Sequence, residues 1–187
     1  EALKTERITV MHRQGRRGLG PAYLDGFRYA LQKGYGVIVQ MDADFSHAPN
    51  ALPAFAHAIK EADVVLGSRW ISGGQVRGWP VRRQLISRGG SLYAQAWLQL
   101  PFRDLTSGFK CFRRQVLQSL DLNAIRSTGY AFQIETTYRA YRLGFRIQEI
   151  PIVFTERTLG HSKMSLSIVR EAVWRVPILR LLHRRLP

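Results

Sequence analysis

Cysteine is almost absent: Cys111 stands alone among 187 residues. That excludes an internal disulfide and any zinc site built on several thiolates. A single thiol fits a reducing compartment, and Cys111 itself reads as a small core residue. No apolar run reaches the length of about 18 residues that a membrane-spanning helix needs. The stretch from Glu1 to Thr9 is polar and charged and does not read as a signal peptide. Acidic residues are scarce, 13 against 28 lysines and arginines, leaving a net charge of +15. A field of that sign attracts phosphate, whether on nucleic acid, a nucleotide or an anionic membrane face. No repeat, linker or low-complexity tract interrupts the chain, so residues 1–187 read as a single domain.

What is present alternates between strand and helix patterns. Arg7 to Met11 reads as a short strand. A glycine-rich turn, Gly15 to Gly20, follows, then a helix from Pro21 to Lys33 with Tyr23, Phe27, Ala30 and Leu31 on one stripe. Val37 to Met41 is a second strand, Asn50 to Glu61 a helix and Asp63 to Gly67 a third strand. Such alternation predicts an α/β fold with a mostly parallel sheet flanked by helices. The segment from Ile71 to Arg88 reads as basic loop, Gly89 to Leu100 as helix, and Cys111 to Leu120 as strand and turn. Phe132 to Leu143 reads as helix, and Arg146 to Phe154 as a strand broken by Pro151. The tail, residues 165–187, patterns as an amphipathic helix. Ile168, Val169, Ala172, Val173, Val176, Leu179 and Leu182 lie opposite Arg170, Arg175, Arg180, Arg184 and Arg185. Its start is expected to pack on the domain and its end to meet anionic headgroups.

The second strand ends in DADFSH. Residues two apart in a strand point the same way, so Asp42 and Asp44 converge at its carboxyl end, where open α/β sheets place ligands. Two carboxylates there repel unless a cation lies between them. A hard divalent ion such as Mg²⁺ or Mn²⁺ takes one or two carboxylates and completes its shell with water and substrate phosphate. Aspartate also favours strand-end turns for purely local reasons, so the pair alone leaves both readings open.

Five further blocks follow in order: GSRW at 67–70, RRQLISRGG at 82–90, RDLTSGFKCF at 103–112, FQIE at 132–135 and ERTLGHSKMS at 156–165. With DADFSH they resemble the polyprenyl-phosphate (dolichol-phosphate) mannose synthases, inverting family 2 glycosyltransferases of GT-A, Rossmann-like fold. The resemblance runs over nearly the whole chain, and its last block is the most specific. It implies transfer of mannose from GDP-mannose to a polyprenyl (dolichyl) phosphate, with Mg²⁺ or Mn²⁺, peripherally on the cytoplasmic membrane face. It makes Asp42 and Asp44 the metal ligands, with Asp44 and Arg69 in the catalytic role. Asp42, Ala43, Asp44, Arg69, Arg157 and Lys163 become the donor-binding set. Arg83 and Ser87 grip the acceptor phosphate, helped by Arg157 and Lys163. A lipid phosphate is already an oxyanion near neutrality and needs no general base. Positioning and cations that hold two anions together are what the reaction asks of the protein.

Several residues carry plainer readings beside these. Arg82 and Arg88 compete with Arg83 for the acceptor role. The Gly15 to Gly20 segment lacks the GK[ST] of a P-loop and reads mainly as a turn. His47 reads as a polar loop residue rather than a metal ligand. Asp104 and Glu135 read as internal anchors for arginines, although Glu135 stands where relatives with sugar acceptors carry a catalytic base. The resemblance also implies an opening segment with PxYNE-like and DDxSxDGT-like motifs, and neither occurs here. The GT-A sheet is therefore expected to lack its amino-terminal strands, with a missing segment or partner polypeptide completing the nucleotide site. By itself the chain is expected to bind GDP-mannose poorly. Two rivals remain: transfer of glucose or an aminosugar to polyprenyl phosphate, and a catalytically silent basic module on membrane or nucleic acid. The aromatics sit on apolar stripes rather than among basic residues, which counts against nucleic acid.

Overall fold

A computed structural model describes residues 8–13, 18–156 and 166–182 of the chain. Among the described residues the α-helices are α1 (Leu19–Gln32), α2 (Leu52–Ala58), α3 (Val81–Leu98), α4 (Arg114–Ser119), α5 (Gly129–Arg142) and α6 (Leu166–Leu182). The strands are β1 (Val37–Gln40), β2 (Val64–Ser68), β3 (Gln75–Arg77), β4 (Lys110–Arg113), β5 (Ile147–Pro151) and β6 (Val153–Thr155). Four strands form the main sheet in the order β1-β4-β2-β5, and β3 pairs with β6 in a parallel ribbon. β2 runs parallel to β5, whereas β4 is antiparallel to both its neighbours. Three of the four main strands thus run one way, as the alternating pattern predicts, and β4 is the counter-running exception.

β2 is buried along its whole length, and its side chains divide between the two faces of the sheet. Val64 and Leu66 join the larger core with Phe27, Phe112, Phe132 and Tyr138, under α1, α3, α5 and α6. Val65 joins a smaller core with Phe55, Phe109, Cys111, Ile150 and Ile152. Gly67 permits a close approach there, since a Cβ would stand 2.9 Å from the Phe55 ring and 3.0 Å from Ile152. Gly20 serves α1 in the same way: a Cβ would lie 2.7 Å from the Ser127 carbonyl oxygen. Cys111 is fully buried, as the sequence suggests, and burial pushes its thiol up to about 11.

Three expectations need correction. Residues 8–13 form no strand, and Ile8, Val10 and Met11 are exposed. A strand needs a ladder partner, and none of the described residues pairs with them. The supposed basic loop from Ile71 to Arg88 holds β3 and the first two turns of α3. Tandem glycines at 89 and 90 imitate a break, but both lie within the helix that Pro80 opens. The 111–120 stretch turns from strand directly into α4. By contrast, Pro151 does end a strand, β5, and the chain resumes at Val153 as β6 in the small ribbon. β1 lies at the sheet edge, with Val37 and Val39 turned outward and Ile38 and Gln40 inward.

One charge sits inside the larger core's polar seam. Lys110 on β4 is wholly buried, its ammonium 2.6 Å from the Gln133 carbonyl oxygen and 2.9 Å from Thr137 Oγ1. Burial pulls this group from 10.5 down to about 7, with Asp104 opposing the shift. Between those values the unfolded chain binds the additional proton, so stability rises with pH across the window. Lys110→Met should remove that component. Denaturant unfolding at pH 7 and pH 9 should show the wild type gaining about 2 kcal/mol relative to the variant.

Candidate active site

β1 delivers the DADFSH segment to the carboxyl end of the sheet, where the backbone bends sharply. Phe45 takes a left-handed conformation with φ 60°, unusual and costly for an aromatic residue. The bend lets the Ser46 N–H donate to Asp44 Oδ1 at 3.1 Å. Asp42 Oδ1 accepts the Tyr23 hydroxyl at 2.8 Å. Burial, then the Asp42 charge, then the Asp44 charge raise the Tyr23 phenol well above its ordinary value, so it remains a donor. β1 ends at Gln40, so both aspartates stand in the bend beyond it rather than in the strand itself. Ala43 between them is exposed.

His47 departs from its expectation as a polar loop residue. It is 2% exposed, stacked on Phe109 at 4.8 Å and edge-on to Phe154 at 5.3 Å. Its Nδ1 accepts the Asp42 N–H at 2.9 Å, which leaves the ring proton on Nε2. Burial holds the imidazole below its usual pKa against the pull of Asp42, keeping it neutral.

Arg69 follows β2 and is 5% exposed. Its Nε and Nη2 grip the two oxygens of Asp104 at 2.7 Å each, its backbone N–H reaches Oδ2 at 2.9 Å, and Nη2 also donates to Thr106 Oγ1 at 2.9 Å. Trp70, Trp79 and Phe154 surround the guanidinium at 5.2–5.7 Å. Asp104 is thus the internal anchor the sequence suggests. Glu135 is another: it pairs with Arg139 and accepts the Ser127 N–H, away from the cavities described below.

Among the three arginines near the start of α3, the structure selects one. Arg82 and Arg88 are exposed, while Arg83 turns inward against the Trp79 ring at 4.0 Å and pairs with Glu156. Ser87, one turn on, is buried with its Oγ 3.2 Å from Thr106 Oγ1. Arg157 and Lys163 lie outside the described residues.

Two adjoining cavities result. A polar one is walled by Asp42, His47, Arg69, Trp79, Arg83, Thr106, Gly108, Tyr130 and Gln133, among others. Three of these carry buried N–H donors with no acceptor among the described residues: Trp79 Nε1, Arg83 Nε and Gln133 Nε2. Buried donors are ordinarily satisfied, so a wall that leaves three of them open suits an oxygen-rich occupant. The second cavity, about 270 Å³, lies between α3, α5 and α6 and is lined by Ile86, Gly89, Gly90, Tyr93, Ile134, Ala172 and Val173. It is almost wholly apolar and shares Thr106 and Tyr130 with the polar one.

Residues 1–121 match the family model described as glycosyl transferase family 2. An undecaprenyl-phosphate mannosyltransferase of Micrococcus luteus is 49% identical over 172 residues, covering 92% of this chain and 71% of its own length. A polyprenol monophosphomannose synthase of Mycolicibacterium smegmatis is 48% identical over 172 residues, covering 91% of this chain and 65% of its own length. The chain belongs to glycosyl transferase family 2. The chain thus spans about two thirds of these relatives. Among solved structures, glucosyl-3-phosphoglycerate synthase of Mycobacterium tuberculosis with UDP shares the fold at TM-score 0.61 and 18% identity, over 88% of this chain and 56% of that one. Its complex with Mn²⁺, UDP and phosphoglyceric acid gives the same TM-score, 0.61, at 18% identity, over 88% of this chain and 55% of that one. The protein is a glycosyltransferase with the GT-A fold.

The glycosyltransferase's acidic pair fits a hard divalent ion. Asp42 lines the polar pocket, and Asp44, two residues on, accepts the Ser46 N–H outside that lining. Two carboxylates without an all-protein cage is the donor set for Mg²⁺ or Mn²⁺ shared with a substrate phosphate. Sequence reasoning missed Tyr23, Trp79, Thr106 and Gln133. Tyr23 reads as one of a core stripe, and nothing in its spacing marks a hydroxyl aimed at Asp42.

Breaking the Arg69–Asp104 pair should be costly, because either partner alone is a buried, uncompensated charge. Asp104→Ala should lower unfolding stability by about 3–5 kcal/mol in denaturant titrations. Arg69→Lys should recover little of the Arg69→Ala loss, since an ammonium cannot make the two-pronged contact.

Proposed function

We propose that this glycosyltransferase moves mannose from GDP-mannose to a polyprenyl phosphate, inverting the anomeric carbon. The observation that carries the reading is the pair of neighbouring cavities that share Thr106 and Tyr130. An acceptor that is anionic at one end and isoprenoid at the other matches a polar pocket lying beside an apolar one. The names of the two bacterial relatives point to the same acceptor class.

The residues divide the work along that boundary. Arg83 and Ser87 stand one helical turn apart on α3, the first in the polar pocket and the second in the apolar cavity. They are suited to hold the acceptor phosphate with its first isoprene units running between α3, α5 and α6. A phosphate oxygen then attacks the anomeric carbon as the bond to the nucleoside diphosphate breaks on the opposite face. No base is needed, because the attacking oxygen carries no proton. Glu135, tied to Arg139 and lining neither cavity, is left to a structural role. Asp42 and Asp44 would hold Mg²⁺ or Mn²⁺, which supplies charge neutralisation for the departing diphosphate. Ala43 would lie against the nucleotide. Arg69 adds fixed positive charge to the wall while its fork stays on Asp104. Arg157 and Lys163 complete the proposed set of phosphate contacts.

Delivery of a lipid acceptor calls for a membrane-facing surface, proposed here as peripheral contact on the cytoplasmic face. No helix among the described residues is long and apolar enough to cross a membrane. α3 and α6 pack together through Tyr93 and Val173, and each leaves an apolar row outward. The rows are Val81, Leu85 and Leu92 on α3 and Trp174, Ile178 and Leu181 on α6, with Arg82 and Arg88 exposed beside the first. Such a face suits the boundary between headgroups and acyl chains. The exposed edge of β1 suits further strands that complete the nucleotide site, from a segment of the same polypeptide or a partner.

Two experiments check the reading. Labelled mannose should pass from GDP-mannose to undecaprenyl phosphate in the presence of Mg²⁺ and stop on chelation. Asp44→Ala and Arg83→Ala should each lower the rate by about 100-fold or more, Arg83→Ala with a raised KM for the lipid. Transfer unaffected by both variants would contradict the site. Separately, sedimentation with anionic vesicles should weaken about tenfold or more in the Leu85→Glu/Trp174→Glu double variant, with thermal unfolding unchanged.

A further inference from the structure

Gln133 is 1% exposed, yet its amide nitrogen has no acceptor among the described residues. Its orientation is fixed by a chain of hydrogen bonds. The Gly108 carbonyl can only accept, so Gln40 turns its Nε2 toward it at 2.9 Å. The same Nε2 donates to Gln133 Oε1 at 2.8 Å. Rotating either amide would set donor against donor or acceptor against acceptor. The Gln133 carboxamide oxygen therefore faces Gln40, and its N–H₂ is left to the space beside Gly108 in the wall of the polar pocket. The backbone behind it is equally constrained, since its carbonyl oxygen receives Lys110 Nζ at 2.6 Å.

The space this donor meets is small and already bounded. A Cβ built on Gly108 would lie 3.6 Å from Gln133 Nε2, 3.6 Å from His47 Cε1 and 3.9 Å from Asp42 Oδ1. An N–H donor and a carboxylate acceptor thus look into one volume that the missing side chain of Gly108 leaves open. A phosphate oxygen would satisfy the amide but meet repulsion from Asp42. A hydroxyl accepts from one and donates to the other. We propose that Gln133 is a sugar-recognition residue, donating from Nε2 to one hydroxyl of the transferred hexose, with Gly108 providing the room. This inference rests on the glycosyl-transfer reading above. Gln133 then selects among hexoses by the position of a hydroxyl, and Lys110 and Gln40 are positioning residues that hold it.

The test uses the intact protein with GDP-mannose, its 2-, 3-, 4- and 6-deoxy analogues, and GDP as a competitive inhibitor. Wild type should lose about tenfold in kcat/KM with one of the deoxy donors, the usual size of one buried hydrogen bond. Gln133→Leu should lose about tenfold with GDP-mannose and show no further loss with that same analogue. Inhibition by GDP should stay within about twofold of wild type, because the diphosphate contacts are untouched. Gly108→Ala keeps ordinary contact distances within the protein, so it should fold normally. It should raise the KM for GDP-mannose and spare GDP inhibition. A Gln133→Leu that weakens every donor by one common factor, or weakens GDP equally, overturns the inference and leaves the function standing. A wild-type protein that transfers no mannose to any polyprenyl phosphate overturns the function and this inference with it.

Discussion

The buried Arg69–Asp104 pair is the contact on which the rest of the site depends. It ties the end of β2 to the loop between α3 and β4, and that loop forms the wall shared by the two cavities. From Arg69 the network continues through Thr106 Oγ1 to Ser87 and Ser91 on α3. Glu149 on β5 holds the same loop from outside by accepting the N–H groups of Arg103 and Asp104. A charge pair this deep is not primarily a source of stability, since desolvation offsets much of its attraction. Its two-pronged geometry instead fixes one loop position, and with it the distance between Arg83, Ser87 and the carboxyl end of β1.

The large positive charge of the chain has a local consequence only where arginines turn inward. Arg82 and Arg88 face solvent, and Arg113 and Arg146 stand near the partly buried Asp63. Within the polar pocket the described cations are Arg69 and Arg83, both already paired with carboxylates. The pocket's appetite for oxygen therefore comes as much from neutral donors as from charge. Trp79 and Gln133 each hold an unmet neutral N–H in a buried position, beside the charged Nε–H of Arg83. Preorganised donors of this kind need no rearrangement when an anion or a sugar arrives, which is what makes them effective in a water-poor site.

Much of this was legible in the sequence, and the gaps have physical causes. The DADFSH strand end, the role of Asp104 and Glu135 as anchors, and the buried Cys111 follow from local pattern and from charge in an apolar context. The choice of Arg83 over Arg82 and Arg88 does not, because RRQLISRGG conceals a helix whose glycines imitate a loop. Those glycines instead lack side chains where the apolar cavity needs volume. Residues 8–13 carry strand-forming side chains but have no ladder to join, and pattern cannot reveal a missing partner. His47 and Gln133 were out of reach for another reason: their importance lies in what neighbouring elements leave unsatisfied, and only tertiary structure shows that.

Everything proposed for the site requires the donor diphosphate to sit at the carboxyl end of β1, beside the polar pocket in which Arg83 meets the acceptor phosphate. Anomalous scattering at the manganese edge, from crystals of the protein grown with Mn²⁺ and GDP, tests it most directly. The expected result is a manganese peak at the Asp42 and Asp44 carboxylates with the diphosphate bound against it, the Arg83 side of the pocket being left to the acceptor. A peak remote from both carboxylates, or a diphosphate bound away from the carboxyl end of β1, would contradict it.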